Sequence, residues 1–256
     1  IGTSPPSHSQ LKEVKHHFIH HKSIHDKYNV GKYEKDAIKV INNLFKEKDV
    51  LILVGGSGLY ADSIMFGIDN FPEIPLDTRN NIIGSFKSEG IEALQDKLKK
   101  LDPEYYKEVD LSNYKRIIRA LEVIELTGEK FSSQRTNKEK QRVFQSHVMI
   151  IKSDRDKLYK RINDRVEIMI KEGLEEEAFK LKDFKELNTL NTVGYKEFFN
   201  YFDDKITYTQ AVEKIKQNTR NYAKRQITWL KKYTKPINVY NNQEIESIII
   251  KLNQVI

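Results

Sequence analysis

The sequence predicts an α/β fold in which a parallel sheet core carries a helical insertion. Residues 50–54 and 147–151 are apolar and rich in β-branched side chains, which is typical of buried parallel strands. Residues 72–144, between them, carry little strand signal and show helical spacing of apolar residues instead. We therefore assign residues 1–71 and 145–256 to the core and 72–144 to the insertion.

Capping signals and apolar periodicity place the other elements in chain order. The pattern also shows no internal repeat. Helices are predicted at about 34–44, at 59–64, from Arg79, at 89–100, at 113–127 with Gly128 as the stop, within 155–184, at 195–202, at 207–233 and at the C-terminus, and a further strand is predicted at 237–240.

Composition limits the possible partners and compartments. The chain has 256 residues, no Cys and a net charge of +7. Without Cys a disulfide framework and a cysteine-based zinc site are excluded, so we expect a cytoplasmic protein. No apolar run approaches the roughly 20 residues that cross a bilayer, so we expect no membrane partner. The positive charge favours a polyanionic partner. We also expect the protein to be a monomer.

Six of the seven His lie within residues 1–30. A metal site would need carboxylate or Cys partners at ligand spacing, and the segment has no Cys and few carboxylates, with Asp26 next to His25. We therefore predict that this segment is a loop that holds no metal.

The stretch LVGGSGLY, residues 53–60, places two glycines and a Ser between a predicted strand and a predicted helix. Such turns hold anions in α/β proteins, because free backbone N–H groups and the helix dipole favour negative charge. An ordinary glycine turn explains the same residues equally well.

Residues 214–235 hold eight Lys or Arg and no acid. On a helical wheel an arc that includes Ile215 and Trp229 would pack against the protein, with a positive flank on each side. The flanks consist of Lys216, Arg220, Lys224 and Lys231 on one side and of Lys214, Arg225 and Lys232 on the other. Phosphate backbones are bound by such cations. The alternative is a solvated amphipathic helix.

Residues 113–123 predict a helix whose buried face includes Ile117 and Leu121. Glu122 is spaced to pair with Arg119, so this cluster is either an anion site or an ordinary surface ion pair. Arg79 begins a helix, where the dipole disfavours a cation, so it is either exposed or close to an anion.

Together these stretches resemble one family, the bacterial tRNA dimethylallyltransferases, also called tRNA isopentenyltransferases. The matching residues follow the family's order and span nearly the whole chain. They are Ile1-Gly2-Thr3, HHFI at 16–19, LVGGSGLY at 53–60, Arg79, Asp102-Pro103, KRIIRALEV at 115–123, VGY at 193–195 and AKRQITWLKK at 223–232.

The resemblance implies transfer of a dimethylallyl group from dimethylallyl diphosphate to N6 of the adenosine next to the anticodon in tRNA. It also implies a P-loop-kinase-like core, a helical insertion that grips the anticodon stem-loop, and Mg²⁺ at the diphosphate. An adenine inside the loop would have to be extruded before reaction.

The resemblance assigns roles residue by residue. Ser57 stands where the family usually has Thr; its hydroxyl and Arg79 would be catalytic, and Gly55 and Gly56 would form the loop beside the diphosphate. The match assigns no metal ligand in this chain. The tRNA-binding residues would be Lys115, Arg116, Ile117, Ile118, Arg119, Asn191, Thr192, Val193, Gly194, Tyr195, Lys196, Lys224, Arg225, Gln226, Ile227, Thr228, Trp229, Leu230 and Lys231.

One departure from the family pattern affects the expected activity. The family begins with a strand, a Walker-type glycine loop and an Asp-Ser motif whose Asp is the expected general base, and residues 1–256 contain none of these. We expect the polypeptide 1–256 to be inactive and the intact protein to be an enzyme. The alternatives are an isopentenyltransferase that acts on free adenine nucleotides and a tRNA-binding fragment without catalysis.

Overall fold

The computed structural model describes residues 1–136 and 138–255, and these form helices together with a small parallel sheet. This confirms an α/β fold in outline, whereas the P-loop-kinase-like core and the absent P-loop segment stay predictions. The elements are α1 His8–Glu13, α2 Val30–Leu44, α3 Gly58–Met65, α4 Leu76–Leu101, α5 Pro103–Glu108, α6 Tyr114–Thr127, α7 Phe131–Gln134, β1 Met149–Lys152, α8 Arg155–Lys171, α9 Leu174–Lys180, two 3-10 turns at Lys182–Phe184 and Asn188–Leu190, α10 Tyr195–Phe202, α11 Tyr208–Leu230, β2 Ile237–Tyr240 and α12 Ile245–Asn253.

The chain divides into two compact units. Unit 1 contains residues 1–33, 44–61 and 144–256, and unit 2 contains residues 34–43 and 62–143. Unlike the predicted insertion, 72–144, unit 2 includes residues 34–43 and 62–71.

Ion pairs explain why unit 2 includes these two segments. Glu34 is buried and accepts hydrogen bonds from Lys140 and Arg142 at 2.7 to 3.1 Å. Arg142 also donates to the carbonyl of Ser63 at 2.7 Å. These contacts join three separate parts of the sequence.

Within the described residues, every helix is too short or too polar to span a bilayer.

The predicted buried strand at residues 50–54 is wrong. This segment has no regular secondary structure, and Ile52 and Val54 are 86% and 85% exposed. The segment is apolar and rich in β-branched residues, but a strand also needs a hydrogen-bonded neighbouring strand. In the described part of the chain, the sheet consists of β1 and β2 alone.

The two strands pair in parallel, with Met149 opposite Ile237 and Lys152 opposite Tyr240. The strand predicted at 237–240 is confirmed. The strand predicted at 147–151 is observed at 149–152, but it is not buried as expected, because Ile151 is 67% exposed.

In unit 2, α4 and α6 pack against each other around fully buried Leu98, Ile117 and Leu121. Asn113 caps the start of α6 with its side chain, and Gly128 ends it in the left-handed conformation at φ 73°. The predicted helix at 113–127 is therefore confirmed, together with its predicted stop at Gly128; the Asn113 cap is seen only in the structure. The predicted helices from Arg79 and at 89–100 are one helix, α4, with a kink at Gly90.

Unit 1 has its own core, formed by α8 to α11. Leu174, Phe198 and Ile215 are almost completely buried there. The helix predicted within 155–184 is interrupted at Gly173, whose φ of 96° favours glycine. Thr207 begins α11 with a capping box to Gln210, so this long helix starts where the sequence placed it.

Candidate functional site

Ser57 lies in an exposed loop that leads into α3. Its backbone carbonyl accepts from Tyr60 N and Ala61 N at 3.0 and 3.1 Å, which starts the helix. Within residues 1–136 and 138–255 no group hydrogen-bonds Ser57 Oγ. The hydroxyl is therefore available to a bound molecule, while the backbone fixes its position.

Helix α11 holds this loop in place within unit 1. The Tyr222 hydroxyl and the Gln226 amide both donate to the carbonyl of Gly56, at 3.1 and 2.9 Å. The contact is so close that a Cβ on Gly56 would lie 1.9 Å from Gln226 Nε2, and a Cβ on Gly58 would lie 2.3 Å from the Trp229 ring. Gly56 and Gly58 therefore let α11 approach the loop, a reason that the sequence did not reveal.

The outer face of α11 carries the predicted cations. Lys224, Arg225 and Lys231 are exposed, and the Arg225 guanidinium lies 5.7 Å from the centre of the Tyr222 ring. Ile227 and Thr228 are exposed beside them, while Gln226, Trp229 and Leu230 are half-buried. This part of the predicted positive surface is available to an anion.

Lys216 differs from the prediction, because it is not part of a free positive flank. Its Nζ lies 2.7 Å from both Glu167 and Glu213, and hydrogen bonds to Glu167 and then Glu213 raise the pKa of Lys216. Its charge is therefore neutralised by protein carboxylates. Arg220 instead donates to a neutral acceptor, Asn163 Oδ1, at 2.7 Å and keeps its positive charge.

The structure corrects the RNA-facing role of four predicted residues. Ile117 and Ile118 are 0% and 9% exposed, because this face of α6 packs into the unit 2 core. Gly194 and Tyr195 are buried in unit 1, where Gly194 N donates to Glu197 and the Tyr195 hydroxyl donates to Glu177.

The neighbours of these buried residues remain on the surface. Lys115 and Arg116 on α6 are exposed, and Arg119 is half-exposed. In unit 1, Asn191, Thr192 and Lys196 are exposed, while Val193 packs partly against the core. The surface residues of both segments keep their predicted role as possible RNA contacts.

The anion close to Arg79 is Glu122, also in unit 2. Arg79 Nε and Nη2 reach the two carboxylate oxygens at 2.6 and 3.1 Å, and hydrogen bonding to Glu122 raises the pKa of Arg79. The predicted pairing of Arg119 with Glu122 is confirmed at 3.5 Å, but Arg79 is the closer partner. Glu122 is almost fully buried, whereas Arg79 is 47% exposed.

The described residues contain no group of three or more His, Asp or Glu that could hold a metal ion. The expected Mg²⁺ at the diphosphate therefore stays a prediction, and we assign it no protein ligands and no step of the reaction.

Comparison with known proteins decides the family. The sequence model of the IPP transferase family matches residues 1–233. The chain belongs to the IPP transferase family. The match confirms the resemblance that the motifs indicated.

Relatives in this family match most of the length of the chain. A tRNA dimethylallyltransferase of Christiangramia forsetii is 48% identical over 232 residues, which is 91% of this chain and 77% of that protein. The tRNA dimethylallyltransferase 2 of Parabacteroides distasonis is 41% identical over 256 residues, which is 100% of this chain and 85% of that protein.

Solved structures agree with the fold of the chain. A tRNA isopentenylpyrophosphate transferase from Bacillus halodurans has 31% identity and a TM-score of 0.66, covering 99% of this chain and 80% of that one. A eukaryotic dimethylallyltransferase acting on tRNA has 20% identity and a TM-score of 0.76, covering 99% and 68%, and supports the fold alone.

The Arg79–Glu122 pair predicts a measurable effect on the stability of unit 2. In Arg79→Ala the buried carboxylate of Glu122 keeps only its longer contact, to Arg119, among the described residues. We therefore expect the free energy of unfolding of unit 2 to fall by about 1–2 kcal/mol. The loss is smaller than for a fully buried ion pair, because Arg79 is half-exposed. Adding Glu122→Gln removes the unpaired charge and should recover about half of that loss. Hydrogen exchange of the α6 amides measures both effects.

Lys97→Ala is the matched control for this prediction. Lys97 pairs with Glu125 in the same unit, but both side chains are well exposed, at 47% and 37%. We expect a loss below about 0.5 kcal/mol. An equal loss for Arg79→Ala and Lys97→Ala would contradict the structural role of the buried pair.

Proposed function

We propose that this protein transfers the dimethylallyl group of dimethylallyl diphosphate to N6 of the adenosine next to the anticodon in tRNA. The observation that carries this proposal is the family match over residues 1–233, together with relatives 41–48% identical that are named tRNA dimethylallyltransferases. The relatives reported above are named for tRNA, so free adenine nucleotides are not the favoured acceptor.

The exposed cations of α11 support an RNA substrate. Lys224, Arg225 and Lys231 have no carboxylate partner in the described part of the chain, so their charges are available to phosphate. Binding of phosphates to such cations releases condensed counterions, which favours association at low salt.

The Ser57 hydroxyl supports the chemical step. In the transfer, N6 attacks the primary allylic carbon while the bond from that carbon to the diphosphate oxygen breaks. Negative charge develops on the departing oxygen, and a donor already in position stabilises it. We assign this donation to Ser57 Oγ, because its backbone is fixed by α3 and its hydroxyl is free for a ligand.

Arg79 is assigned to the substrate by its match to the family. Glu122 acts as a positioning residue for it, because a two-point contact fixes the plane of the guanidinium. The proton that N6 loses has to pass to a base, and neither Ser57 nor Arg79 is a base at neutral pH.

The direct test is a transfer assay with the complete gene product. The protein is incubated with dimethylallyl diphosphate and unmodified tRNA, and the nucleosides are analysed by mass spectrometry after digestion. We expect prenylated adenosine from the position beside the anticodon and none from AMP supplied at the same concentration. Faster modification of AMP than of tRNA would overturn the proposed acceptor.

The salt dependence of tRNA binding tests the α11 surface separately from chemistry. Lys224→Ala and Arg225→Ala should each lower the slope of log affinity against log salt by about one, because each removes one phosphate contact. Lys160→Ala is the control, since Lys160 is 82% exposed on α8 and, among the described residues, pairs only with Asp164. A slope equal to that of the wild type in both α11 variants would remove these residues from the interface.

A further inference from the structure

A surface hollow of about 400 Å³ lies against the N-terminal half of α11, outside the residues that the family match assigns to tRNA. It is lined by Lys205, Ile206, Gln210, Glu213, Lys214, Gln217 and Arg220. All of these belong to unit 1, and three of the seven are cations. This composition is that of an anion site, since basic side chains and amides are the usual donors to phosphate oxygens.

The local charges leave the hollow positive. Lys214 has no ion-pair partner among the described residues, and Arg220 is held by the neutral Asn163 side chain. Lys205 lies 2.8 Å from Asp203, but this carboxylate is shared with Lys185. The lining contains one carboxylate, Glu213, which is 62% exposed and is paired with Lys216.

The hollow also lies on the same side of α11 as Arg225, one of the cations already assigned to RNA. Residues 11 positions apart are about three turns apart on nearly the same helix face, so Lys214 and Arg225 lie along one side of α11. Ala211, Ile215 and Ala223 mark the opposite, buried face. Ten residues of helix separate Lys214 from Lys224, which corresponds to about 15 Å along the axis.

We propose that this hollow, formed around Lys205, Lys214 and Arg220, is a second phosphate-binding site for the RNA substrate, several nucleotides away from the phosphates held by Lys224 and Arg225. The inference rests on the proposed function for the identity of the partner. Gln210 and Gln217 supply neutral donors beside the cations. The site positions RNA and touches no reacting atom, so it acts on affinity and not on the chemical step.

The test compares tRNA binding and transfer in a Lys205→Ala/Lys214→Ala double variant and in Lys160→Ala. We expect the double variant to bind tRNA about tenfold more weakly near 0.1 M salt, with a salt slope lower by one to two, roughly one for each lost contact. The kcat at saturating tRNA should stay unchanged. Lys160→Ala removes a lysine charge elsewhere in unit 1 and should bind as the wild type does.

Glu213→Gln gives a change of opposite sign. The carboxylate repels phosphate in the hollow, so its removal should tighten tRNA binding by about two- to threefold. Glu167 still pairs with Lys216 in this variant. A purely structural role of the cluster would not predict tighter binding when an ion pair is removed.

The outcomes separate this inference from the proposed function. If the wild type modifies tRNA but the double variant has the affinity and slope of Lys160→Ala, the second site is overturned and the proposed function stands. If the wild type binds tRNA through Lys205 and Lys214 without modifying it, the proposed function fails and the site stands. Loss of phosphatidylserine vesicle binding in the double variant, with tRNA binding unchanged, would assign the hollow to a different polyanion and overturn the inference.

Discussion

We expect replacement of Ser57 with Ala in the complete gene product to lower kcat by about a hundredfold and to leave the affinity for tRNA unchanged. The magnitude is that of removing one positioned donor from a site where charge develops in the transition state. The affinity should not change, because the backbone carbonyl of Ser57, and not its hydroxyl, starts α3. Single-turnover transfer and tRNA binding, measured on the same preparation, separate the two quantities.

Ser57→Thr is the matched control, because it keeps the hydroxyl and adds only a methyl group. The residue is exposed, so the methyl meets little steric resistance, and we expect at least about half of the wild-type kcat. Ser57→Ala with a kcat within twofold of the wild type would remove the hydroxyl from the reaction. Equal losses in Ala and Thr variants would indicate a packing effect in place of hydrogen bonding.

Replacing Gly58 with Ala should lower kcat by about tenfold or more, through displacement of Ser57. The new Cβ would lie 2.3 Å from the Trp229 ring, and a rigid ring cannot withdraw as the end of a flexible side chain can. Either the first turn of α3 moves away from α11 or Trp229 rotates. A displacement of about 1 Å at a reacting group can cost up to a hundredfold in rate.

Two measurements check the cause of this loss. Trp229 is the only Trp in the chain, so its fluorescence should change in Gly58→Ala. Gly55→Ala is the control for stability, because nothing lies within 4 Å of a Cβ at that position, and its melting temperature should match the wild type. An unchanged Trp229 spectrum together with wild-type kcat in Gly58→Ala would show that the loop does not depend on this close contact.

Helix ends are predicted accurately where residues within one helical turn determine them. Asn113 caps the start of α6, Gly128 ends it, and Thr207 caps the start of α11. Each of these contacts joins residues only three or four positions apart. The family motifs are also short stretches of consecutive residues, and they identify the family without information on tertiary contacts.

Predictions that depended on distant partners were less accurate. The segment 50–54 has strand composition but no neighbouring strand among the described residues, and most of it is exposed. Glu122 was paired correctly with Arg119, yet its closer partner, Arg79, lies 43 residues away. The monomeric state, the cytoplasmic location, the inactivity of residues 1–256 and the roles of the site residues that remain exposed or half-buried stay predictions.

The sequence by itself determined the family, the principal helices and the positive charge of α11. Only the tertiary structure decided which cations are free and why two glycines flank Ser57. Lys216 is neutralised by Glu167 from another helix. Gly56 accepts a hydrogen bond from Gln226 and Gly58 leaves room for the Trp229 ring, and both of these side chains are about 170 residues away in the chain. Charge and helix propensity are properties of nearby residues, whereas pairing and close approach arise only when distant segments pack together.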